Sequence, residues 1–568
     1  MGMQRLRGEG NDRFRAGDHE AAVIMYQRAI ELYDSERLAD AQGAIDEHSK
    51  ASGNLCTCLF KLGQYSNCVA AAKAALLVNP FLAKAHAFLG LCLRETAEVS
   101  VIAACTAHVE LFRSVWLLPE LEPQVHHRLT ESLRTFLAEQ SSVIEDCVEV
   151  RDSASSGRGV FATSLLPAGA VVATFDAPFA VTSYAETDGR GACSHCGRPY
   201  SSEVSSIPCH SCGAVSYCTL QCSVEHAARH HGSECHALQR FSEMVRVIEE
   251  EALDIPVDFE DIARITVAIR SGVVTKSPGF GEVLEMESHS DLVVQSLHPL
   301  AAMLFELFPD DDRAFIIKLI GISWCNSIEI TDSTSLGVGH ALYVRASLFN
   351  HSCMPNCAID NLSRSIVSIR PIAPGEQLSI SYIPQMYWPR SLRREGLQQR
   401  YFFSCECERC ALTDDAFESI VTAHVPGARP DATKYYHVLV DNICTALRQK
   451  PVNSIGPDHW TELRQLWTEC ESHLHPLHYL FHDLRNTMTF VASVLGLAKE
   501  AARLCMDELL LWECIVPGAL PLKRDKVRNL SRCAGEDKDV EKVVGEWCPR
   551  HPLLNCLSIY LKAWPSSS

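Results

Sequence analysis

The stretch Asn350-His351-Ser352-Cys353-Met354-Pro355-Asn356-Cys357 decides the reading of this 568-residue chain. Asn, Ser and Pro favour turns, so it predicts a turn-forming loop carrying two thiols. Farther along, Cys405-x-Cys407-x2-Cys410 offers three thiolates at metal-ligand spacing. A closed structural zinc takes four ligands, and the distant loop can supply the fourth, pinning the later segment against it. Spacing alone leaves Cys353 and Cys357 as alternatives. Between the two cysteine groups, Pro374-Gly375 marks a turn, and Leu378, Ile380 and Tyr382 alternate with Ser379 and Ser381. That alternation predicts a half-buried strand with Tyr382 on its core face.

Upstream, Gly157-Arg158-Gly159-Val160-Phe161-Ala162, a Leu166-Pro167-Ala168-Gly169 turn and Val171 to Phe175 predict strand, turn, strand within 149–181. Strand texture returns at 358–383. A cysteine-rich segment interrupts, with Cys193-x2-Cys196, Cys209-x2-Cys212, Cys218-x3-Cys222 and His231-x3-Cys235. Gaps of this size let neighbouring ligands converge on one ion, and eight ligands make two closed structural zinc sites. His231 is chosen because it stands three residues before Cys235, with His230 its main competitor. Residues 236–325 and everything beyond Cys410 show helical periodicity.

The N-terminal 140 residues predict packed helix pairs. Gly10-Asn11-x-x-Phe14-x-x-Gly17-Asp18-x-x-Ala21 is echoed by Gly53-Asn54-Leu55 and Lys61-Leu62-Gly63-Gln64-Tyr65, with a weaker third unit from Ala83 to Phe112. Gly17 and Gly63 lie farther apart than the usual tetratricopeptide period, which predicts a longer helix or loop at 34–46. Gly496-Leu497-Ala498 repeats the turn once more near the end. Such stacked pairs offer a concave peptide groove or a supporting cap.

Acidic residues outnumber basic ones 70 to 51, for a formal charge of −19. This disfavours a general phosphate-binding surface, and the finger, with Arg198 and Arg229 against three glutamates and no lysine, lacks the cations of a DNA reader. A basic partner suits the chain better. No apolar stretch of membrane-spanning length and no secretory signal is visible, so an intracellular, reducing setting is expected, where clustered cysteines serve as metal ligands. Of the 26 cysteines, the unclustered ones are read as buried free thiols.

In order, Gly157-Arg158-Gly159, the 193–235 finger, Asn350 to Cys357, Gly375-Glu376-Gln377-Leu378 through Tyr382, and Tyr401-Phe402-Phe403-x-Cys405-x-Cys407-x-x-Cys410 resemble SET- and MYND-domain protein lysine methyltransferases. The chain is most similar to the longer branch with N-terminal tetratricopeptide repeats. The resemblance spans about residues 149–412. It implies an α+β multidomain fold: helical repeats at 1–140, a split β-rich SET domain at 148–384, an inserted MYND finger at 193–235, a helical insert at 236–325, a post-SET zinc segment at 385–412, and a helical, repeat-like C-terminal region at 413–568.

The same resemblance implies an S-adenosylmethionine site built from Ser156, Gly157, Arg158, Asn326, Asn350, His351, Tyr382 and Phe403. Phe403 would lie over the adenine. Cys353 becomes the fourth ligand beside Cys405, Cys407 and Cys410. In the finger, Cys193, Cys196, Cys218 and Cys222 would share one zinc, and Cys209, Cys212, His231 and Cys235 the other, for three structural zinc ions in all.

Methyl transfer to lysine is an in-line displacement in which a neutral amine attacks a sulfonium methyl. The enzyme must supply alignment and a site where lysine loses its proton, and a narrow apolar and aromatic channel serves both needs. Tyr382 is the candidate for orienting the amine through its hydroxyl, and Tyr401 for the channel wall. The expected substrate is a lysine-bearing protein or peptide, histone or non-histone. Protein partners are expected at the repeat groove and the finger, nucleic acid and membrane are not, and a monomer in cytoplasm and nucleus is expected. The alternative is an interaction scaffold or transcriptional co-regulator with a weakly active or inactive SET domain.

Overall fold

The computed structural model describes residues 2–96, 101–119, 123–137, 147–153, 157–175, 177–183, 191–200, 206–250, 257–332, 337–361, 363–412, 416–535 and 539–564. Ser156 lies outside these described residues.

Helices fill the first part of the chain, and consecutive ones fold back on each other as packed pairs: Gly2–Arg15 with His19–Glu31, Ala41–Lys61 with Tyr65–Val78, and Ala83–Thr96 with Val101–Leu117. Gly17 and Gly63 sit in the first two turns at φ +80° and +69°, a region that costs other residues steric strain. The extra length expected at 34–46 is taken up by a short helix, Tyr33–Glu36, and by the 21 residues of the helix that follows. At the other end Gly496 (φ +68°) makes the same turn between Leu480–Val494 and Ala498–Glu513.

Among the described residues, twelve short strands form the middle: β1 Val148–Ser153, β2 Gly157–Ala162, β3 Val171–Thr174, β4 Ala180–Ser183, β5 Ile207–Pro208, β6 Ser216–Tyr217, β7 Ile328–Thr331, β8 Gly337–Leu342, β9 Asn350–His351, β10 Cys357–Asp360, β11 Ser365–Ser368 and β12 Gln377–Ile380. They pair as β1-β2-β12-β9, β10-β11-β3, β4-β8-β7 and β5-β6. The β12–β9 pairing is parallel, Ser379 opposite Asn350 and Ile380 opposite His351, while the others are antiparallel. Val160, Leu166, Val172, Ile366, Leu378 and Ile380 fill a core common to the first three of these sheets.

Chain order does not reveal that the first and last helices share one hydrophobic core, in which Leu111, Phe112 and Leu129 join Phe481, Leu509 and Leu557. Buried polar groups tie the seam. His108 Nδ1 meets Ser132 Oγ at 2.8 Å and its Nε2 meets Glu513 Oε2 at 2.7 Å, while Lys523 Nζ and Tyr560 Oη reach the same carboxylate at 2.7 and 2.8 Å. Among the described residues no helix is long and apolar enough to cross a membrane.

Candidate active site and metal centres

The twelve candidate metal donors fall into three clusters, each with four ligand atoms within 4.8 Å of one another: Cys193, Cys196, Cys218 and Cys222; Cys209, Cys212, His231 and Cys235; and Cys353, Cys405, Cys407 and Cys410. Tetrahedral zinc with Zn–S bonds of about 2.3 Å sets its sulfurs about 3.8 Å apart. Cys196 and Cys218 stand 3.7 Å apart, Cys218 and Cys222 3.6 Å, Cys209 and Cys235 3.9 Å, Cys353 and Cys405 3.9 Å, and Cys353 and Cys410 3.6 Å. Both spacing and donor chemistry fit closed zinc sites.

A π-helical turn, Ala227–His231, selects between adjacent histidines. Its wider loop turns His231 Nε2 to 3.4 Å from Cys209 Sγ and 4.0 Å from Cys212 Sγ. His230 instead stacks on Phe179, ring centroids 5.8 Å apart. Glu234 Oε1 takes the other ring nitrogen of His231 at 2.7 Å, an arrangement that orients a metal-bound imidazole. Cys357 stays out of every cluster. It lies on β10, wholly buried in the sheet core, and burial pushes its thiol well above the usual range.

The loop that donates Cys353 also builds the candidate cofactor site. Asn350 Nδ2 donates to the Arg158 carbonyl at 2.9 Å, joining β9 to β2. Gly159 permits that approach, since a Cβ there would lie 2.9 Å from Asn350 Nδ2 and 2.3 Å from Gln377 Nε2. Gly157 (φ +66°) turns the chain into β2 with open space where a side chain would stand. Asn356 locks the crossing from beneath, its Nδ2 donating to Glu376 Oε1 and the Gln377 carbonyl and its Oδ1 accepting from the Ser379 amide.

Tyr382 corrects one expectation. The strand ends at Ile380, two residues short of it, where the Ser352 amide donates to the Ile380 carbonyl at 2.9 Å, and Tyr382 packs against the sheet core from beyond the strand end. The Tyr382 amide instead donates to His351 Nδ1 at 2.9 Å. Burial pulls His351 down to about 4, so its ring is neutral, and with Nδ1 accepting, the proton sits on Nε2, 3.2 Å from Cys353 Sγ. One imidazole therefore links the tyrosine to the thiol cluster.

Past the strand, the Tyr382 hydroxyl donates to the Phe349 carbonyl at 2.9 Å, and burial raises its pKa well above the ordinary value. The Tyr401 hydroxyl donates to the Tyr382 carbonyl at 3.2 Å, with the two rings 4.8 Å apart. Phe402, in the left-handed region at φ +59°, ends the Arg390–Tyr401 helix and swings Phe403 to 6.0 Å from His351 and 6.4 Å from Tyr382.

Arg158 and Asn326 approach from another side. Arg158 Nη2 donates to the Glu285 carbonyl at 3.2 Å, and Asn326 Nδ2 to the Glu287 carbonyl at 2.9 Å. The 285–289 segment was missed in the sequence, since it carries no motif and only the fold brings it to these two side chains. Tyr343 is buried and stacks on Phe175 at 4.9 Å.

Residues 157–383 match the family model of the SET domain. The chain is 26% identical over 321 residues to the N-lysine methyltransferase SMYD2 of Gallus gallus, covering 53% of this chain and 70% of that protein. It is 27% identical over 233 residues to the N-lysine methyltransferase SMYD2 of Homo sapiens, covering 39% and 51%. A SET and MYND domain-containing protein of Dictyostelium discoideum is 24% identical over 326 residues, covering 48% and 84%. The match spans only about half the length of the human relative. Fold and match define a chain that carries a SET domain between helical flanks. It has SET-and-MYND homologues at modest identity.

Proposed function

We propose that the chain is an S-adenosylmethionine-dependent protein-lysine N-methyltransferase. The observation that carries this is the placement of Tyr382 within a SET domain, amide on His351 and hydroxyl on the Phe349 carbonyl, with Tyr401 and Phe403 around it. The amides of Asn350 and Asn326, the Arg158 guanidinium, the open backbone at Gly157 and the face of Phe403 are donors and an aromatic surface of the kind a nucleoside-bearing amino acid needs.

The cofactor, when bound, supplies an electrophilic methyl group on a sulfonium. Tyr382 and Tyr401 supply a half-buried aromatic wall in which a lysine amine sheds its proton more readily than in water. The Tyr382 hydroxyl, held at a fixed carbonyl, orients the amine lone pair, and Asn350, tied to the Arg158 carbonyl, holds the cofactor side in register with it. With S-adenosylmethionine held by Asn350, Arg158 and Phe403, its C–S bond would break as the C–N bond formed and its charge would pass to nitrogen, so these residues need supply no acid or metal.

Zinc in all three clusters is structural in this reading. The 193–235 module acts as a MYND finger, and the N-terminal helix pairs act as tetratricopeptide-like repeats, supported by the donor pairing and by Gly17 and Gly63 at corresponding turns. The net charge of −19 favours a basic lysine-bearing substrate. A monomer working in cytoplasm and nucleus completes the proposal.

Calorimetric titration of zinc-replete protein with S-adenosylmethionine tests it, alongside Asn350→Ala. Binding by the parent chain, lost in the variant, and label transfer from methyl-tritiated cofactor to lysine in a protein mixture are expected. Absence of heat from the parent chain sinks the cofactor assignment, and binding without transfer returns the chain to the scaffold reading.

A further inference from the structure

His230, which the finger zinc leaves aside, faces two other buried donors. Its Nε2 stands 3.3 Å from His226 Nε2. The Glu234 carboxylate closes the group, with Oε1 3.5 Å from His226 Nε2 and Oε2 3.9 Å from His230 Nε2. The three recur every fourth residue from the Leu220–His226 helix through the π-helical turn into Gly232–Glu250, which turns them to one side of the run. His226, His230 and Glu234 are 4%, 2% and 1% exposed.

These contacts are poor as hydrogen bonds and good as edges of a coordination shell. The Glu234 separations lie at or beyond hydrogen-bond reach, and Glu234 Oε2, fully buried, accepts no hydrogen bond. A carboxylate oxygen left bare in the interior is costly unless a cation meets it. Tetrahedral zinc with Zn–N bonds of about 2.0–2.1 Å sets two imidazole nitrogens about 3.3 Å apart, the separation found between His226 and His230. Behind the group, Tyr217 Oη meets His226 Nδ1 at 3.2 Å, the kind of outer partner that a metal-bound imidazole takes. His231 is not a further member. Its Nε2 belongs to the finger cluster, and its Nδ1 is at hydrogen-bond distance, 2.7 Å, from Glu234 Oε1.

We infer that His226, His230 and Glu234 hold a fourth, exchangeable zinc ion. Two imidazoles and a carboxylate suit zinc and the neighbouring divalent metals, whereas magnesium and calcium take oxygen ligands. With three protein ligands and no thiolate, this site binds more weakly than the three cysteine clusters, so dialysis strips it while they keep their metal. Burial of all three ligands closes it to a protein substrate, which gives the ion a bracing role rather than a catalytic one. Glu234 then joins two metals, Oε1 on the ring that ligates the finger zinc and Oε2 on the new ion. None of the residues assigned to methyl transfer takes part.

The test adds cobalt(II) to the dialysed full chain carrying its three zinc ions. One equivalent should bind saturably, with the visible ligand-field bands of a nitrogen–oxygen site and without the thiolate-to-cobalt charge transfer that exchange into a cysteine cluster would give. His230→Gln should weaken this binding by about a hundredfold or more. Tyr217→Phe, which keeps the ring and loses the hydroxyl behind His226, should weaken it by about tenfold or more, and each variant should keep its three zinc ions. Failure of the folded parent chain to take up cobalt overturns the inference, as does uptake only with the thiolate signature. Undiminished binding by a folded His230→Gln, or by Tyr217→Phe where His230→Gln does not fold, assigns the ion elsewhere and overturns it too.

Discussion

Arg524 and Asp360 form a two-point ion pair, at 2.7 and 2.9 Å, between the Pro521–Ala534 helix and strand β10. Both side chains are more than nine-tenths buried. The pair fixes the C-terminal helices to the β10-β11-β3 sheet, which shares one core with the sheet of the candidate site, aided by the Ala519 amide donating to the Ile369 carbonyl at 2.8 Å.

Removing one member leaves the other charged and buried. Asp360→Asn should lower unfolding free energy by about 3 kcal/mol, at the lower end of the usual range because Asp525 Oδ1 also lies 3.5 Å from Arg524 Nε. Denaturant unfolding followed by tryptophan fluorescence measures it. A loss no larger than that of an exposed pair would show that the contact does not hold the two layers together.

Asp525 itself predicts a pH effect. Burial, opposed by Arg524 and assisted by Asp360, raises its carboxyl from about 3.8 to about 6. The folded state therefore holds this proton more tightly than the unfolded state, so stability falls as pH rises from about 4 to 6. A shift of that size corresponds to about 3 kcal/mol. Asp525→Asn should be more stable than the parent at pH 7.5, with the advantage gone below about pH 4. Urea midpoints at the two pH values check it, and an unchanged difference across the range would contradict it.

Tyr382→Phe removes one hydroxyl and leaves the ring in place. Methyl transfer should fall by about 10²–10³-fold in kcat, with cofactor affinity nearly unchanged, as for other oriented hydrogen-bonding groups. Single-turnover rates and calorimetry separate the two effects. A variant with parental kcat would demote Tyr382 to a packing residue.

Elemental analysis should find close to three zinc ions per chain, falling to two in Cys353→Ser. Glu234→Gln keeps the shape beside His231 but loses the carboxylate that orients it, and should weaken the zinc at Cys209, Cys212, His231 and Cys235 by about 10–100-fold. Zinc release to a colorimetric chelator would then show one fast ion and two slow ones. Three slow ions would mean that Glu234 does not support His231.

What could be read from the chain follows the range of the forces involved. The cysteine spacings and the strand alternation at 378–380 are local and were legible. Spacing gave the finger two metals but left their donors unassigned, because Cys193 meets Cys218 only through the fold of the β5–β6 hairpin. His231 over His230 rests on a π-helical turn with no sequence mark. Cys353 and Cys357 look alike until β10 claims the second for the sheet core. The 285–289 segment, the Arg524–Asp360 pair and the His108–Glu513 contact join residues far apart in the chain, and periodicity says nothing about such pairs.

His108 and Glu513 are separated by 405 residues. At ribosomal speeds of about 5–20 residues per second, the second emerges about 20–80 s after the first. For that interval the N-terminal helices, though already packed on one another, lack the C-terminal residues that complete the core around Leu111, Phe112 and Leu129. The core closed from the two ends is thus completed only when the last helices have been made.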